Sequence, residues 1–366
     1  MTTLAQRYSS SVQIRIPAKA MLFGEYGVLR GGPALVATLV EPCFEMVADL
    51  VSTRSSGAAV EFSSDYFQQP LEFDGRAQQL SGDSGAAALF IENCLKELVH
   101  QISEWTKAEL VLRIKVTKSF ASELGLGSSS AIISGLVWLC DWASHQARVI
   151  SIDGAAKLFY QPRVFDLAWP QLHGCLLAAQ GKGSGYDVAV QYASIEILGS
   201  GMEFSPSLWS FQPSGAPALE RIVNRRFWQM AGFMLPSGVA AATGAILKNL
   251  SGTAASETYA QQHAGLALEA IRRLRDESLW VESKGLHPLA DLLSSALAIA
   301  QLQGIAGHVE RISALSLLPP GTVYKTMGAG FGDCIWCCSG EMSSVNDLPA
   351  GLPHDTIPLF AGKVSP

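Results

Sequence analysis

Residues 119–131, Ser-Phe-Ala-Ser-Glu-Leu-Gly-Leu-Gly-Ser-Ser-Ser-Ala, constrain this chain more than any other stretch. They follow a segment, residues 110–116, in which apolar and charged residues alternate as in a strand. They precede an apolar run, residues 132–142, that reads as a buried helix. A glycine-rich loop opening onto a helix start is an anion site, because the first turn leaves backbone N–H groups unpaired at the positive end of the helix dipole. Gly125 and Gly127 let the backbone bend and approach a phosphate where a Cβ would intrude. Ser128, Ser129 and Ser130 add hydroxyls that cap the helix or reach a metal-bound phosphate. The plainer alternative is a helix cap preceded by a glycine turn. The string lacks the third glycine of the dinucleotide fingerprint and the Gly-Lys-Ser/Thr of the Walker loop, so neither of those applies.

The rest of the composition narrows the class. With 366 residues the chain suits two domains sharing a cleft, and 48% hydrophobic against 16% charged residues indicates a well-packed globular protein. A net charge of −6 argues against a nucleic-acid partner, though a local basic site for a small anion is compatible with it. Seven cysteines at irregular spacing fit reduced thiols in a cytoplasm better than a disulfide framework, and no paired C-x-x-C suggests zinc. Residues 1–11 are polar, and no apolar run reaches the roughly 20 residues that span a bilayer. The expectation is a soluble cytoplasmic protein without a membrane partner.

Along the chain, strands are expected over residues 12–16, 34–40, 44–53, 58–63, 110–116 and 229–235, with residues 66–82 irregular. Helices are expected over 86–105, 128–146, 152–160, 164–179, a segment ending near 250, 256–276 and 287–304. The Ser/Pro/Gly-rich stretch 205–217 is a candidate domain boundary, dividing residues 1–210 from 211–366. Three further features bear chemistry. Lys19 is a single charge in an apolar segment; it reads either as a strand-edge ion pair with Glu25 or as a cleft lysine facing a phosphate or carboxylate. Residues 181–187, Gly-Lys-Gly-Ser-Gly-Tyr-Asp, form a tight loop that delivers Asp187 either as a helix cap or as a general base beside an acceptor. Residues 328–332, Gly-Ala-Gly-Phe-Gly, are a second glycine-rich loop running into a strand. Arg221, Arg225 and Arg226 read as a solvated basic face, with substrate contact the alternative.

These strings together resemble the GHMP kinases. Gly-Leu-Gly-Ser-Ser-Ser-Ala is similar to their phosphate loop. Residues 17–29, with Lys19 before a hydrophobic stretch ending Gly24-Glu25-Tyr26, are similar to their first motif, and residues 328–332 to their third. The resemblance implies an α+β fold with an N-terminal ribosomal S5-like domain, a ferredoxin-like C-terminal domain and ATP between them. It implies that Gly125, Leu126, Gly127, Ser128, Ser129 and Ser130 hold the nucleotide phosphates, with Ser129 on Mg²⁺. Asp187 would accept or orient the acceptor proton, and Lys19 would neutralise charge on the γ-phosphate and keep Asp187 ionised. Glu25, Tyr26, Lys182, Ser184, Gly185, Gly328, Ala329, Gly330, Gly332 and Asp333 would border the substrate.

Substrate choice divides within the family. Residues 179–189 and Gly332-Asp333-Cys334 resemble phosphomevalonate kinase, and Lys182 suits an acceptor that already bears a phosphate. Residues 22–25 and 32–35 resemble mevalonate kinase. Phosphomevalonate is the favoured acceptor, mevalonate the alternative; a diphosphomevalonate decarboxylase or a non-catalytic ligand sensor on the same fold ranks below both. Ala121 and Glu123 replace the proline and glycine of the mevalonate kinase loop. No Asp or Glu lies between Leu167 and Tyr186, where that enzyme carries a glutamate metal ligand. A small-molecule kinase acting as a monomer or homodimer is the resulting expectation.

Overall fold

The computed structural model describes residues 9–52, 57–120, 124–153, 163–200, 205–214, 216–230, 232–236, 254–281, 287–302, 312–327, 334–338, 351–353 and 356–359. The chain divides into two compact units. One comprises Met1–Pro17, Cys43–Ser119 and Ser129–Glu203, the other Ala18–Pro42, Phe120–Ser128 and Phe204–Pro366. Two long strands, β1 (Ser9–Phe23) and β2 (Ala34–Ser52), contribute one half to each.

In the first unit the sheet order is β5-β4-β3-β6-β2-β1-β7, with β3 (Val60–Ser63), β4 (Leu71–Phe73), β5 (Gln79–Ser81), β6 (Leu110–Lys118) and β7 (Glu196–Ile197). Strand β6 is central. It runs antiparallel to β2, with Leu50 opposite Leu112, and parallel to β3, with Phe62 opposite Ile114. Its alternation of buried Leu112, Ile114 and Val116 with exposed Arg113, Lys115 and Thr117 is the period-2 pattern of a half-covered strand. Helices α1 (Ala86–Glu97), α2 (Val99–Thr106), α3 (Ser128–Asp153), α4 (Phe165–Gln180) and α5 (Tyr186–Ala193) complete the unit.

Several expected elements change. Residues 66–82 are not irregular: Leu71 and Phe73 are fully buried on either side of Glu72, and strands of three residues are too short to show a period in sequence. The single helix over 86–105 is two, because Leu98 leaves helical geometry (φ −105°, ψ 10°). The turn lets Trp105 reach the core and donate its indole N–H to the Ala59 carbonyl at 3.0 Å. The two strands over 34–40 and 44–53 are one continuous β2, with a bulge at Glu45/Met46. Helix α3 extends beyond residue 146 to Asp153; most of the helix expected over 152–160 lies outside the described residues, as does that ending near 250.

In the second unit the first half of β2 pairs with β8 (Ser207–Gln212), which pairs with β9 (Ala218–Ile222). Strand β8 lies within the stretch 205–217 read as a domain boundary, and β9 begins just after it. A four-stranded antiparallel sheet has the order β11-β12-β10-β13, from β10 (Phe233–Pro236), β11 (Val323–Thr326), β12 (Cys334–Cys338) and β13 (Ile357–Pro358). Helix α6 (Arg225–Met230) replaces the first part of the strand expected over 229–235. The cause is a cap: Asn224 accepts the Phe227 N–H at 2.8 Å, an N-cap role that its amide oxygen suits. Helices α7 (Ala254–Arg275), α8 (Glu277–Val281) and α9 (Ala290–Leu302) follow.

An aromatic cluster of Phe227, Trp280 and Trp336 encloses His287, whose ring meets Trp280 edge-on at 5.5 Å. Burial holds the His287 imidazole at about 3, far below its ordinary 6.5. Unfolded chain therefore takes a proton here below pH 6.5 while the folded chain does not, so this contribution is full above 6.5 and is lost as pH falls towards 3. His287→Phe, which removes the titration, is expected to flatten the pH dependence of unfolding free energy between pH 6.5 and 4 by about 3 kcal/mol, as measured by urea titration. Equal acid sensitivity in both proteins would assign the loss to other groups.

Candidate active site

Strand β6 delivers the chain to the glycine loop and α3 leaves from it, as alternation followed by an apolar run requires. Gly125 (φ 66°) and Gly127 (φ 89°) both occupy the left-handed region, so the loop's bend depends on glycine at these two positions. Ser128, Ser129 and Ser130 form the first turn of α3; Ser129 is exposed, Ser128 half-buried and Ser130 buried. The hydroxyl singled out for a metal is thus the one most open to solvent.

Lys19 lies on the second-unit half of β1 and is buried. Its ammonium donates to the Gly125 carbonyl at 3.2 Å, and its amide donates to the Leu126 carbonyl at 2.9 Å. The lysine is therefore tied to the glycine loop rather than to Glu25. Lys19, Met21, Gly125, Leu126, Met327 and Cys334 line a cavity of about 10 Å³, room for about one water molecule. The Cys334 thiol also donates to the Leu124 carbonyl at 3.4 Å, so residues flanking the third glycine motif reach the loop. Gly328, Ala329, Gly330, Gly332 and Asp333 themselves lie outside the described residues.

Glu25 has a different setting. It is 4% exposed; one carboxylate oxygen accepts the Lys325 ammonium and the other meets His263 Nδ1 at 3.3 Å. Burial alone would push this carboxyl up, but the Lys325 charge and the His263 hydrogen bond outweigh it and hold it below its ordinary 4.5. Tyr26, half-buried with φ 58°, packs its ring edge-on against Tyr259 at 5.1 Å. Burial, then the neighbouring Glu25 charge, raises the Tyr26 phenol well above its ordinary range. Sequence reasoning missed Lys325 and His263. Lys325 carried the signal that exposed Lys19, a lone charge in an apolar strand, and His263 shares the buried face of α7 with Tyr259 and Ala267.

Asp187, Lys182, Ser184 and Gly185 lie in the first unit, between α4 and α5. Asp187 occupies the first turn of α5 instead of the cap itself, a position where a carboxylate complements the helix dipole. It is half-buried, and its Oδ1 accepts the Val188 N–H at 3.0 Å. Ser134 of α3 donates to the Val188 carbonyl at 3.1 Å and Gln191 donates to the Pro17 carbonyl at 2.8 Å, so the start of α5 is tied to its surroundings. Lys182 is exposed and Ser184 half-buried. Arg221 and Arg225 are exposed, and Arg226 donates to the Trp280 carbonyl at 3.3 Å.

Gly185 (φ 80°) presses on Trp169: a Cβ there would clash with Cη2 of an indole that contacts Phe165 and stacks on His173. Gly185→Ala thus combines left-handed strain with a clash against that ring. It is expected to lower stability by about 2 kcal/mol and to displace Asp187, with a shift of thermal midpoint and turnover as readouts. Unchanged stability and activity would mean that the indole yields freely.

The fold is shared with solved structures of mevalonate kinase, phosphomevalonate kinase and galactokinase. The chain is similar to a mevalonate kinase structure at 14% identity and TM-score 0.59, with 90% of this chain and 91% of that chain covered. It is similar to Streptococcus pneumoniae phosphomevalonate kinase in complex with phosphomevalonate and AMPPNP, at 14% identity and TM-score 0.56, covering 90% and 92%. It also matches Lactococcus lactis galactokinase complexed with galactose, at 14% identity and TM-score 0.51, covering 90% and 86%. No family model and no curated protein matches the chain. Among the described residues, no group of three or more His, Cys, Asp or Glu forms a metal cluster, and no helix is long and apolar enough to cross a membrane.

Proposed function

We propose that this chain is an ATP-dependent small-molecule kinase of the mevalonate pathway that transfers the γ-phosphoryl group of ATP to 5-phosphomevalonate. The observation that carries the reading is the buried Lys19 ammonium bonded to Gly125 in a glycine loop that opens onto a long helix. Phosphoryl transfer needs positioning and charge neutralisation more than covalent chemistry, and a lysine at such a loop supplies both. Backbone N–H groups of residues 125–130 would hold the nucleotide phosphates. Magnesium commonly takes one or two protein oxygens plus water and substrate phosphates, so the exposed Ser129 hydroxyl fits it without an acidic cluster. The ion would neutralise phosphate charge.

In the step itself an acceptor oxygen bonds to the γ-phosphorus as the bond to the ADP oxygen breaks. Where the acceptor oxygen carries a proton, Asp187 takes it. Exposed Lys182 would pair with the phosphate already on the acceptor, and Ser184 and Gly185 of the same loop would border it. The division into an ATP-binding domain over 1–210 and a second domain over 211–366, a cytoplasmic location and a monomeric or homodimeric state without nucleic acid or membrane are parts of the same proposal. Mevalonate is the second reading, favoured by residues 22–25 and 32–35.

An assay of ADP release with Mg-ATP, offering 5-phosphomevalonate, mevalonate and galactose in parallel, tests the reading. Turnover on phosphomevalonate alone is expected. Turnover on mevalonate alone moves the chain to the second reading, and silence on all three with ATP still bound rejects both.

A further inference from the structure

The Glu25–Lys325–His263 cluster lies inside the second unit, and its three members come from the turn after β1, from β11 and from α7. Glu25 and Lys325 are 300 residues apart, and the three residues are only 4%, 1% and 2% exposed. A carboxylate only accepts hydrogen bonds, so His263 Nδ1 must carry the proton that it shares with Glu25. Its Nε2 is buried with no partner among the described residues. The Lys325 ammonium also stands 5.5 Å from the centre of the Phe23 ring. Helix α7 can bring His263 here because Gly27 has no side chain: a Cβ would lie 2.9 Å from both the Ala260 carbonyl oxygen and the Ala264 nitrogen.

Both oxygens of Glu25 are therefore engaged within the protein. A buried ion pair of this kind is seldom the most stabilising filling of a core, and fixing a register is its best-attested use. The registers available here bear on the candidate site. Glu25 lies six residues beyond Lys19 on a chain segment buried almost throughout, and Lys325 lies two residues before Met327, which lines the Lys19 cavity.

We propose that Lys325 and His263 are positioning residues: they lock Glu25, and thereby hold Lys19 in register with the glycine loop. Glu25 on this account is a structural partner of the site and makes no contact with the acceptor. The turnover part of the proposal rests on the kinase reading; the register part does not.

The test compares wild type with Lys325→Met and with Glu25→Gln/Lys325→Met, by hydrogen exchange and by steady-state kinetics. The single variant buries a carboxylate without its lysine, and it is the one expected to fold poorly. The double variant removes both charges, leaves an amide carbonyl in place of the carboxylate to accept from His263, and is expected to keep the wild-type thermal midpoint within a few degrees. In that folded double variant, exchange is expected to accelerate at least tenfold in peptides covering residues 19–26 and 124–127, and to stay unchanged in α3 and β6. Turnover is expected to fall at least tenfold, with acceptor KM changed less than threefold.

Exchange within threefold of wild type in those peptides would overturn the lock, as would equal acceleration throughout the chain. Turnover that recovers with stability would leave the cluster a purely structural pair and overturn the positioning role. A raised acceptor KM at constant kcat would make Glu25 a substrate ligand, which also overturns it. Wild type without kinase turnover would reject the functional reading, while the exchange result still decides the lock.

Discussion

Asp187→Asn is expected to lower kcat by about 10³-fold while nucleotide affinity stays within about twofold of wild type. The substitution changes charge and almost nothing else. Asp187 Oδ1 accepts the Val188 N–H at 3.0 Å, and an asparagine oxygen can accept the same bond, so the first turn of α5 survives. What disappears is a carboxylate able to take a proton. The size of the loss also reports the acceptor. A hydroxyl keeps its proton until the transition state, so a mevalonate kinase would suffer the full loss at every pH. A phosphate monoester loses its second proton near pH 6, so a phosphomevalonate kinase should suffer less at pH 8 than at pH 6. Calorimetric titration with a non-hydrolysable nucleotide and pH-resolved turnover measure the two halves. Near-normal turnover in the variant would remove Asp187 from the role of base.

How far this arrangement could be seen in advance depended on how local its causes are. The glycine loop was legible because strand alternation, two glycines and an apolar run all act within about thirty residues, and the observed β6, loop and α3 follow that order. Lys19 stood out for the same local reason. Its partner did not: proximity suggested Glu25, six residues away, whereas the fold gives Lys19 to Gly125 and gives Glu25 to Lys325. A pairing across 300 residues leaves no trace in spacing. The break at Leu98 and the Asn224 cap of α6 were hidden in the same way, since both answer to where Trp105 and Phe227 must be buried. Composition alone reached only a mixed α and β chain; the fold was implied by the resemblance of three motifs, taken in order, to those of the GHMP kinases.

Lys19→Met is the second large effect, expected at 10²- to 10³-fold in kcat/KM for ATP. Methionine matches the aliphatic length of lysine and suits a side chain that is only 6% exposed, so the variant should fold. The Gly125 carbonyl loses one donor, which costs about 1 kcal/mol and by itself about tenfold at most. The larger loss is electrostatic. A fixed ammonium beside a phosphate in a site partly shielded from water neutralises charge without having to reorganise, and that term vanishes with the amine. Arginine is not expected to rescue it, because the planar guanidinium is larger than the ammonium and the position is buried. Lys182→Met is the contrasting control. Lys182 is exposed at the α4–α5 loop, so its loss should raise KM for a phosphorylated acceptor and leave KM for ATP unchanged. Steady-state kinetics of the two variants against both substrates separates the roles. If Lys19→Met instead behaved like Lys182→Met, with ATP parameters intact, the buried lysine would serve the acceptor, and its bond to Gly125 would be a structural tie between β1 and the loop.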